Sequence, residues 1–77
     1  MTAEVYGTQS CGYCRRAKSL LNAKNIEYQE FIVGVDISAE ELSSKIGKTA
    51  LTVPQIFLDG EHIGGYTELA GRLGVSS

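Results

Sequence analysis

The order of strand-like and helix-like segments constrains the fold of this chain more than any other feature of its sequence. Residues 3–6 and 28–33 are rich in β-forming side chains. Between them, residues 12–24 carry apolar side chains at intervals of three and four, the spacing of one face of an amphipathic helix. A strand, a helix and a second strand in succession predict a parallel βαβ unit with a right-handed crossover.

The second half of the chain predicts another helix, a hairpin and a last short helix. Ser38 with Glu41 three residues later is a capping-box start, and Asp59-Gly60 is a hairpin turn signal. The predicted elements are a helix over 39–46, a strand over 53–58, a returning strand from 62 and a helix over 66–73. The order β-α-β-α-β-β-α predicts an α/β protein of thioredoxin-like fold, with a four-stranded mixed sheet flanked by helices.

Length and composition exclude several classes of protein. With 77 residues, no repeat and no linker, residues 1–77 are expected to form one domain. An apolar content of 43% argues against disorder, and a net charge of −2 argues against nucleic-acid binding. No apolar run is long enough to span a bilayer and no signal peptide is evident, so we expect a cytoplasmic protein without a membrane partner.

The chemistry is predicted to reside in the sequence Cys11-Gly12-Tyr13-Cys14, which opens the first helix after a loop. A Cys-x-x-Cys beside a βαβ pattern indicates a redox motif. The nucleophile in disulfide exchange is the thiolate, and the free N–H groups and dipole of a helix N-terminus stabilise negative charge there. Cys11 is therefore the expected attacking thiol, and Cys14, one turn further, the expected resolving thiol.

Two other interpretations of the cysteines remain. They are either structural residues at a fortuitous spacing in an inert domain, or part of a metal site. A structural zinc site usually needs four protein ligands, whereas this chain offers two cysteines and one histidine. We therefore predict no metal site of this kind, and we expect His62 to be a surface residue of a strand.

Three further features are compatible with a redox site, and each has a plainer explanation. Pro54 is the only proline and can be cis, although local chemistry favours an ordinary trans proline at the start of a strand. Gly64-Gly65 permits close approach of a ligand to the backbone, or is a simple turn. Thr67-Glu68 lies where a helix N-terminus can receive a carboxylate, or Thr67 is a plain N-cap.

Taken together, these motifs resemble the glutaredoxin family over nearly the whole chain. The matching segments are Val5-Tyr6, Cys11-Gly12-Tyr13-Cys14, Arg16-Ala17-Lys18, Leu20-Leu21, Thr52-Val53-Pro54-Gln55-Ile56-Phe57 and His62-Ile63-Gly64-Gly65-Tyr66. The resemblance implies an enzyme, a glutathione-dependent thiol–disulfide oxidoreductase that reduces protein disulfides or glutathione mixed disulfides. Ribonucleotide reductase is one implied partner, and a monomer is the expected state.

The resemblance also implies where glutathione would bind. Pro54 would be cis and would face the cysteines, the backbone of Val53 would pair with the cysteinyl part of glutathione, and Tyr13 would flank the peptide. The expected glutathione-binding residues are Tyr13, Thr52, Val53, Pro54, Gly65, Thr67 and Glu68. Gln55 or Lys45 would approach the glycine carboxylate.

The sequence departs from the common family pattern at several positions. Thr8 replaces a frequent lysine, Gly12 a frequent proline, and Thr67 and Glu68 stand where aspartates are usual. A small residue at position 12 accompanies [2Fe–2S] binding in some glutaredoxins, where the first cysteine and glutathione hold the cluster across a dimer. A glutathione-linked cluster held by Cys11 is therefore the alternative function. The absence of tryptophan disfavours the related branch that thioredoxin reductase reduces.

Overall fold

The structure, a computed structural model, describes residues 1–47 and 52–74. Its elements are β1 (Thr2–Gly7), α1 (Gly12–Ala23), β2 (Glu27–Ile32), α2 (Ala39–Ile46), β3 (Gln55–Leu58), β4 (Glu61–Gly64) and α3 (Tyr66–Arg72). The predicted order is confirmed, with most boundaries within two residues of the expected ones. The predicted domain of 1–77 includes residues 48–51 and 75–77, which lie outside the described part.

The four strands form one mixed sheet in the order β2-β1-β3-β4. β1 and β2 run parallel, with Thr2 opposite Glu27 and Gly7 opposite Ile32. β3 is antiparallel both to β1 and to β4. The βαβ unit and the hairpin predicted from the sequence are therefore both present, and β1 lies in the centre, where its C-terminal end delivers the chain to the cysteines.

Alternation along the strands divides the core between the two faces of the sheet. On one face, Val5 and Ile56 pack against α1 and α3, in a cluster that also contains Ala3, Ala17, Leu21, Leu58 and Leu69. On the other face, Tyr6, Phe57 and Leu42 of α2 form a smaller cluster. Since successive strand residues point to opposite faces, Val5 and Tyr6 belong to different clusters. The larger cluster fixes α1, which carries both cysteines.

Local signals set the ends of α2 and of the hairpin as the sequence predicts. Ser38 and Glu41 form the reciprocal capping box. Gly47 ends α2 in the left-handed conformation, with φ of 75°. Asp59 and Gly60 both have positive φ, as a tight two-residue turn requires. Among the described residues, no helix combines the length and apolar character needed to cross a membrane.

Candidate active site

Cys11 is the N-cap of α1, so its side chain lies at the point where the first amides of the helix are free of intrahelical partners. Its Sγ accepts a hydrogen bond from the Cys14 backbone N–H, with a donor–acceptor distance of 3.1 Å. Cys11 is partly exposed, and both cysteines are free thiols. The predicted placement of Cys11 at the start of the helix is confirmed, and a thiolate there would be stabilised by the N–H group and the helix dipole.

Cys14 occupies a very different environment, although it is only three residues away. Its side chain is 2% exposed and lies directly against Gly7 at the end of β1. Burial and the hydrogen bond with Cys11 raise the pKa of Cys14 to about 11, although a backbone hydrogen bond with Thr8 and the Lys18 charge act in the opposite direction. Cys14 is therefore a protonated, shielded thiol at neutral pH, which suits a second-step nucleophile better than a first one.

A cavity of about 310 Å³ adjoins both sulfurs on the side of β2. It is lined by Thr8, Gln9, Cys11, Cys14, Arg15, Lys18, Glu30 and Ile32. Within it, Lys18 Nζ donates a hydrogen bond to Glu30 Oε2 at 2.6 Å. Sequence reasoning did not identify Glu30, because nothing in the local sequence of β2 indicates that it will face α1.

On the other side of the motif lies a group of aromatic and basic side chains. The rings of Tyr13 and Tyr66 have their centroids 6.0 Å apart. The Arg16 guanidinium carbon lies 5.2 Å from the centroid of Tyr13. Tyr13 is more than half exposed. The structure thus brings Tyr13 beside the start of α3, the element that carries Thr67 and Glu68.

The segment around Pro54 and the Gly64-Gly65 pair lie next to one another. Val53–Pro54 is cis, so the trans conformation favoured from local chemistry is wrong and the conformation implied by the family resemblance is confirmed. Pro54 is buried, and a Cβ placed on Gly65 would lie 3.4 Å from the Pro54 carbonyl oxygen. Thr52 and Val53, the two residues before Pro54, are exposed and half-buried respectively.

Thr67 is not an N-cap, contrary to one of the two interpretations given above. Helix α3 begins at Tyr66 and its N-cap is Gly65, which has no side chain to cap the helix. Glu68 compensates: its Oε1 accepts a hydrogen bond from the Gly65 backbone N–H at 2.7 Å. Thr67 and Glu68 are both exposed in the first turn of α3, as predicted.

The residues suggested for a glycine carboxylate have contacts of their own. Gln55 is 8% exposed, and its Nε2 donates to the Thr52 carbonyl oxygen at 2.7 Å. Gln55 Oε1 lies 2.7 Å from His62 Nε2. His62 also packs beside the Phe57 ring and is half-buried, whereas the sequence led us to expect a surface residue. Lys45 Nζ lies 5.2 Å from the centroid of the Phe57 ring. Within the described ranges, no three His, Cys, Asp or Glu residues form a group that could hold a metal ion.

Comparison with known proteins gives the same family as the motifs. Residues 3–63 match the family model for glutaredoxin. Glutaredoxin 3 of Escherichia coli is 46% identical over 67 residues, which cover 86% of this chain and 78% of the relative. A solved structure of reduced E. coli glutaredoxin superposes with a TM-score of 0.82 at 40% identity, covering 96% of this chain and 94% of that one.

A second solved structure contains a bound ligand. The buckwheat glutaredoxin–glutathione complex superposes with a TM-score of 0.74 at 31% identity. The match covers 94% of this chain and 69% of the buckwheat chain. The fold that positions Cys11 is therefore also found in a protein solved together with glutathione.

Proposed function

This chain belongs to the glutaredoxin family and is a thiol–disulfide oxidoreductase, and we propose that it uses glutathione to reduce protein disulfides and glutathione mixed disulfides. The observation that carries the proposal is the unequal pair of cysteines. Cys11 is partly exposed at the N-cap of α1, and Cys14 is buried behind it, one turn along the helix. That arrangement supplies one accessible nucleophile and one protected thiol within its reach.

In the proposed first step, the Cys11 thiolate attacks one sulfur of the substrate disulfide. A bond forms between Cys11 and that sulfur, the substrate S–S bond breaks, and the other sulfur leaves as a thiolate that takes a proton from solvent. The Cys14 N–H, which donates to Cys11 Sγ, and the N-terminus of α1 stabilise the attacking anion. The result is a mixed disulfide on Cys11.

In the second step, the mixed disulfide is resolved by one of two thiols. Either Cys14 attacks Cys11, forming the Cys11–Cys14 disulfide and releasing the bound thiol, or a glutathione thiolate attacks the mixed disulfide directly. In the first route, two molecules of glutathione then reduce the Cys11–Cys14 disulfide in succession and leave as glutathione disulfide. In the second route, with a glutathione mixed disulfide as substrate, the glutathione held on Cys11 and the attacking glutathione leave together as glutathione disulfide, and the Cys11 thiol is regenerated. The first route needs Cys14 and the second does not.

The proposed glutathione site lies between Tyr13 and the segments that approach each other at Pro54 and Gly65. Its members are Tyr13, Thr52, Val53, Pro54, Gly65, Thr67 and Glu68. The contact between Pro54 and Gly65 supports this assignment, as does the buckwheat relative solved with glutathione. We do not assign Gln55 to the glycine carboxylate, because its amide already pairs with Thr52 and His62.

The proposal extends to the setting in which the protein works. We propose a cytoplasmic monomer with one glutaredoxin domain over residues 1–77, and ribonucleotide reductase as one protein substrate. The family match over residues 3–63 supports the domain assignment. A Cys-x-x-Cys pair that cycles between dithiol and disulfide suits a reducing compartment, where permanent disulfides are rare.

The test is the glutathione-coupled reduction of a small mixed disulfide by the wild-type protein, Cys11→Ser and Cys14→Ser. We expect Cys11→Ser to lose at least about 99% of the activity, because the first step has no other accessible thiolate. Activity retained by Cys14→Ser would assign turnover to the glutathione route. Full activity in Cys11→Ser would disprove the proposed mechanism.

A glutathione-linked [2Fe–2S] dimer is the alternative proposal, and the open surroundings of Gly12 favour it. Among the described residues, a Cβ at Gly12 would meet no heavy atom within 4 Å, so the surface at the residue that follows Cys11 is open. Each chain would supply Cys11 as a ligand of the cluster, and the dimer would store the cluster or transfer it to other proteins. Anaerobic reconstitution with iron, sulfide and glutathione tests it, since a colourless monomer would rule it out.

A further inference from the structure

The cavity beside the two sulfurs contains an ion pair that the proposed mechanism does not use. Lys18 lies four residues after Cys14 on α1, and therefore on the same face of the helix. Its Nζ is 2.6 Å from Glu30 Oε2, which reaches across from β2. The two side chains are only 27% and 34% exposed, so their charges are less screened than those of an ordinary surface pair.

We propose that Lys18 and Glu30 are opposed positioning residues that set how readily Cys14 ionises, and hence the rate of the resolving step. Lys18 favours the Cys14 thiolate, and the Glu30 carboxylate moderates that effect. The inference rests on the proposed role of Cys14 as the resolving thiol. A partly exposed ion pair such as Lys18–Glu30 contributes little to the free energy of unfolding, so stability alone does not account for it.

The charged surroundings of Cys14 are simple enough for the signs to be assigned. From α1, the groups lining the cavity are Cys11, Arg15 and Lys18, and from β2 the only one is Glu30. From β1 and its following loop come Gly7, Thr8 and Gln9, which carry no charge. Arg15 is exposed, whereas Lys18 is held at the cavity by its hydrogen bond to Glu30. The Lys18 charge lowers the pKa of Cys14, and by the same physics a negative charge at this cavity would raise it.

In the resolving step, Cys14 loses its proton to solvent and its thiolate attacks the Cys11 sulfur. A Cys11–Cys14 bond forms, the mixed-disulfide bond breaks, and the bound thiol leaves as a thiolate. Below the pKa of Cys14 the thiolate is scarce, so a change of one unit in that pKa alters its amount tenfold. A thiolate with a lower pKa is also a weaker nucleophile, which offsets part of the change in its amount. With a Brønsted slope of 0.4–0.5, a one-unit change in the pKa of Cys14 therefore changes the rate about threefold.

The opposite charges of the pair give a test that a purely structural role fails. Lys18→Met removes the positive charge, so the resolving step should slow about threefold at pH 7. Glu30→Gln removes the negative charge and keeps an oxygen for the ammonium, so the same step should become faster, by up to about threefold. Loss of an ion pair through mere destabilisation would change both variants in the same direction.

The experiment is a stopped-flow reaction of the reduced protein with a symmetric aromatic disulfide whose thiolate product is coloured. Attack by Cys11 releases the first coloured thiolate, and attack by Cys14 releases the second. The rate of the second phase is recorded from pH 6 to pH 9 for wild type, Lys18→Met, Glu30→Gln and the double variant. Lys18→Arg keeps the positive charge, so its second phase should retain most of the wild-type rate.

Two control variants carry the same changes of charge away from the cysteines. Glu61→Gln breaks the exposed Arg72–Glu61 pair, whose side chains are 48% and 66% exposed. Lys24→Met removes the exposed cation at the C-cap of α1. Neither should alter the second phase, and circular dichroism confirms that all variants fold.

The possible outcomes separate this inference from the proposed function. Opposite changes in Lys18→Met and Glu30→Gln, with unchanged controls, would support the inference. Equal second phases in all proteins, or slowing in both variants, would overturn it and leave the cysteine mechanism intact. A wild-type protein that releases only one coloured thiolate would instead disprove the resolving role of Cys14, and the inference would fall with it.

Discussion

The two sides of the candidate site are built by different means. On one side, β1 and α1 place the cysteines by close packing, with Cys14 held against Gly7 beneath the helix. On the other side, the segments before β3 and after β4 contribute mainly backbone, at cis Pro54 and at Gly65. The first side resembles a piece of the core, and the second resembles a binding surface.

This difference predicts that the two sides will respond differently to substitution. Changes under the cysteines should affect folding and the chemical steps together, because the sulfur of Cys14, the proposed resolving thiol, is itself part of the packing. Changes around Gly65 and Glu68 should affect affinity for the proposed glutathione ligand more than the chemistry.

Gly7→Ala should be the most damaging of these changes. A Cβ on Gly7 would overlap Cys14 Sγ and lie 3.2 Å from its Cβ, so the Cys14 side chain or the β1 backbone would have to shift. We expect a loss of about 1–3 kcal/mol in the free energy of unfolding, as for overpacking in a core. Urea unfolding measures the loss, and the coloured-disulfide assay should show a slower second phase.

The overlap is specific, so a second substitution should relieve it. Adding Cys14→Ala to Gly7→Ala removes the sulfur, and the double variant should be less unstable than the sum of the single changes. Gly71→Ala is the matched control: it lies in α3 with no atom near its Cβ position, and should stabilise the helix by about 0.5–1 kcal/mol. Simple additivity at positions 7 and 14 would show that the predicted contact is absent.

Glu68→Ala should have a smaller effect on stability and a clearer effect on binding. It removes the acceptor of the Gly65 N–H, which should cost about 0.5–1.5 kcal/mol in the free energy of unfolding. If this turn holds glutathione, the KM for a glutathione mixed disulfide should rise while kcat changes little. Steady-state kinetics measures both constants.

Glu68→Gln is the conservative control, because it keeps a side-chain oxygen for Gly65 and loses only the charge. It should retain most of the stability that Glu68→Ala loses. A fall in kcat with an unchanged KM in either variant would contradict the division between a side for chemistry and a side for binding.

The parts of the fold that the sequence predicted are those set by local patterns. β-forming residues, helical spacing, the Ser38 capping box and the Asp59-Gly60 turn predicted the seven elements of the described residues, and the loop before α1 predicted Cys11 at the helix start. Two side-chain contacts were not predictable: Lys18 with Glu30 depends on how α1 packs on β2, and Gln55 with His62 depends on the hairpin register, which shifts between Ile56 and Phe57. Cis Pro54 also escaped local reasoning, because a dipeptide taken alone prefers trans.

The start of α3 shows why local reasoning about caps was wrong there. A threonine near a helix start is a common N-cap, and Thr67 fits that pattern. Gly64 has φ of 116°, which turns the chain so that the helix begins at Tyr66 and Glu68 reaches back to Gly65. The signal present in the sequence was the acidic residue three positions after a glycine, rather than the hydroxyl.

The titration of Cys14 changes the free energy of unfolding only in alkali, and it isolates the buried side of the site. Burial raises the pKa of Cys14 from 9.0 to about 11, so the unfolded chain loses this proton at a lower pH than the native protein does. The stability that results is complete below pH 9 and is lost as pH rises from 9 to 11. Cys14→Ala removes this contribution, so its free energy of unfolding should fall less steeply over that range.

Tyr6 provides the comparison within the same experiment, since it lies on the opposite face of the sheet. Burial and Glu4 raise the pKa of Tyr6 from 10.0 to about 12, so its contribution is lost between pH 10 and pH 12. Urea unfolding of wild type, Cys14→Ala and Tyr6→Phe at pH 7, 9, 10 and 11 separates the two. Because Cys14 titrates first, the difference in free energy of unfolding between wild type and Cys14→Ala should change by pH 10, before the difference between wild type and Tyr6→Phe does. Parallel curves for wild type and Cys14→Ala would mean that Cys14 ionises as easily in the folded protein as in the unfolded chain. Cys14 would then not be shielded by packing, and the proposed contrast between the two sides of the site would be wrong.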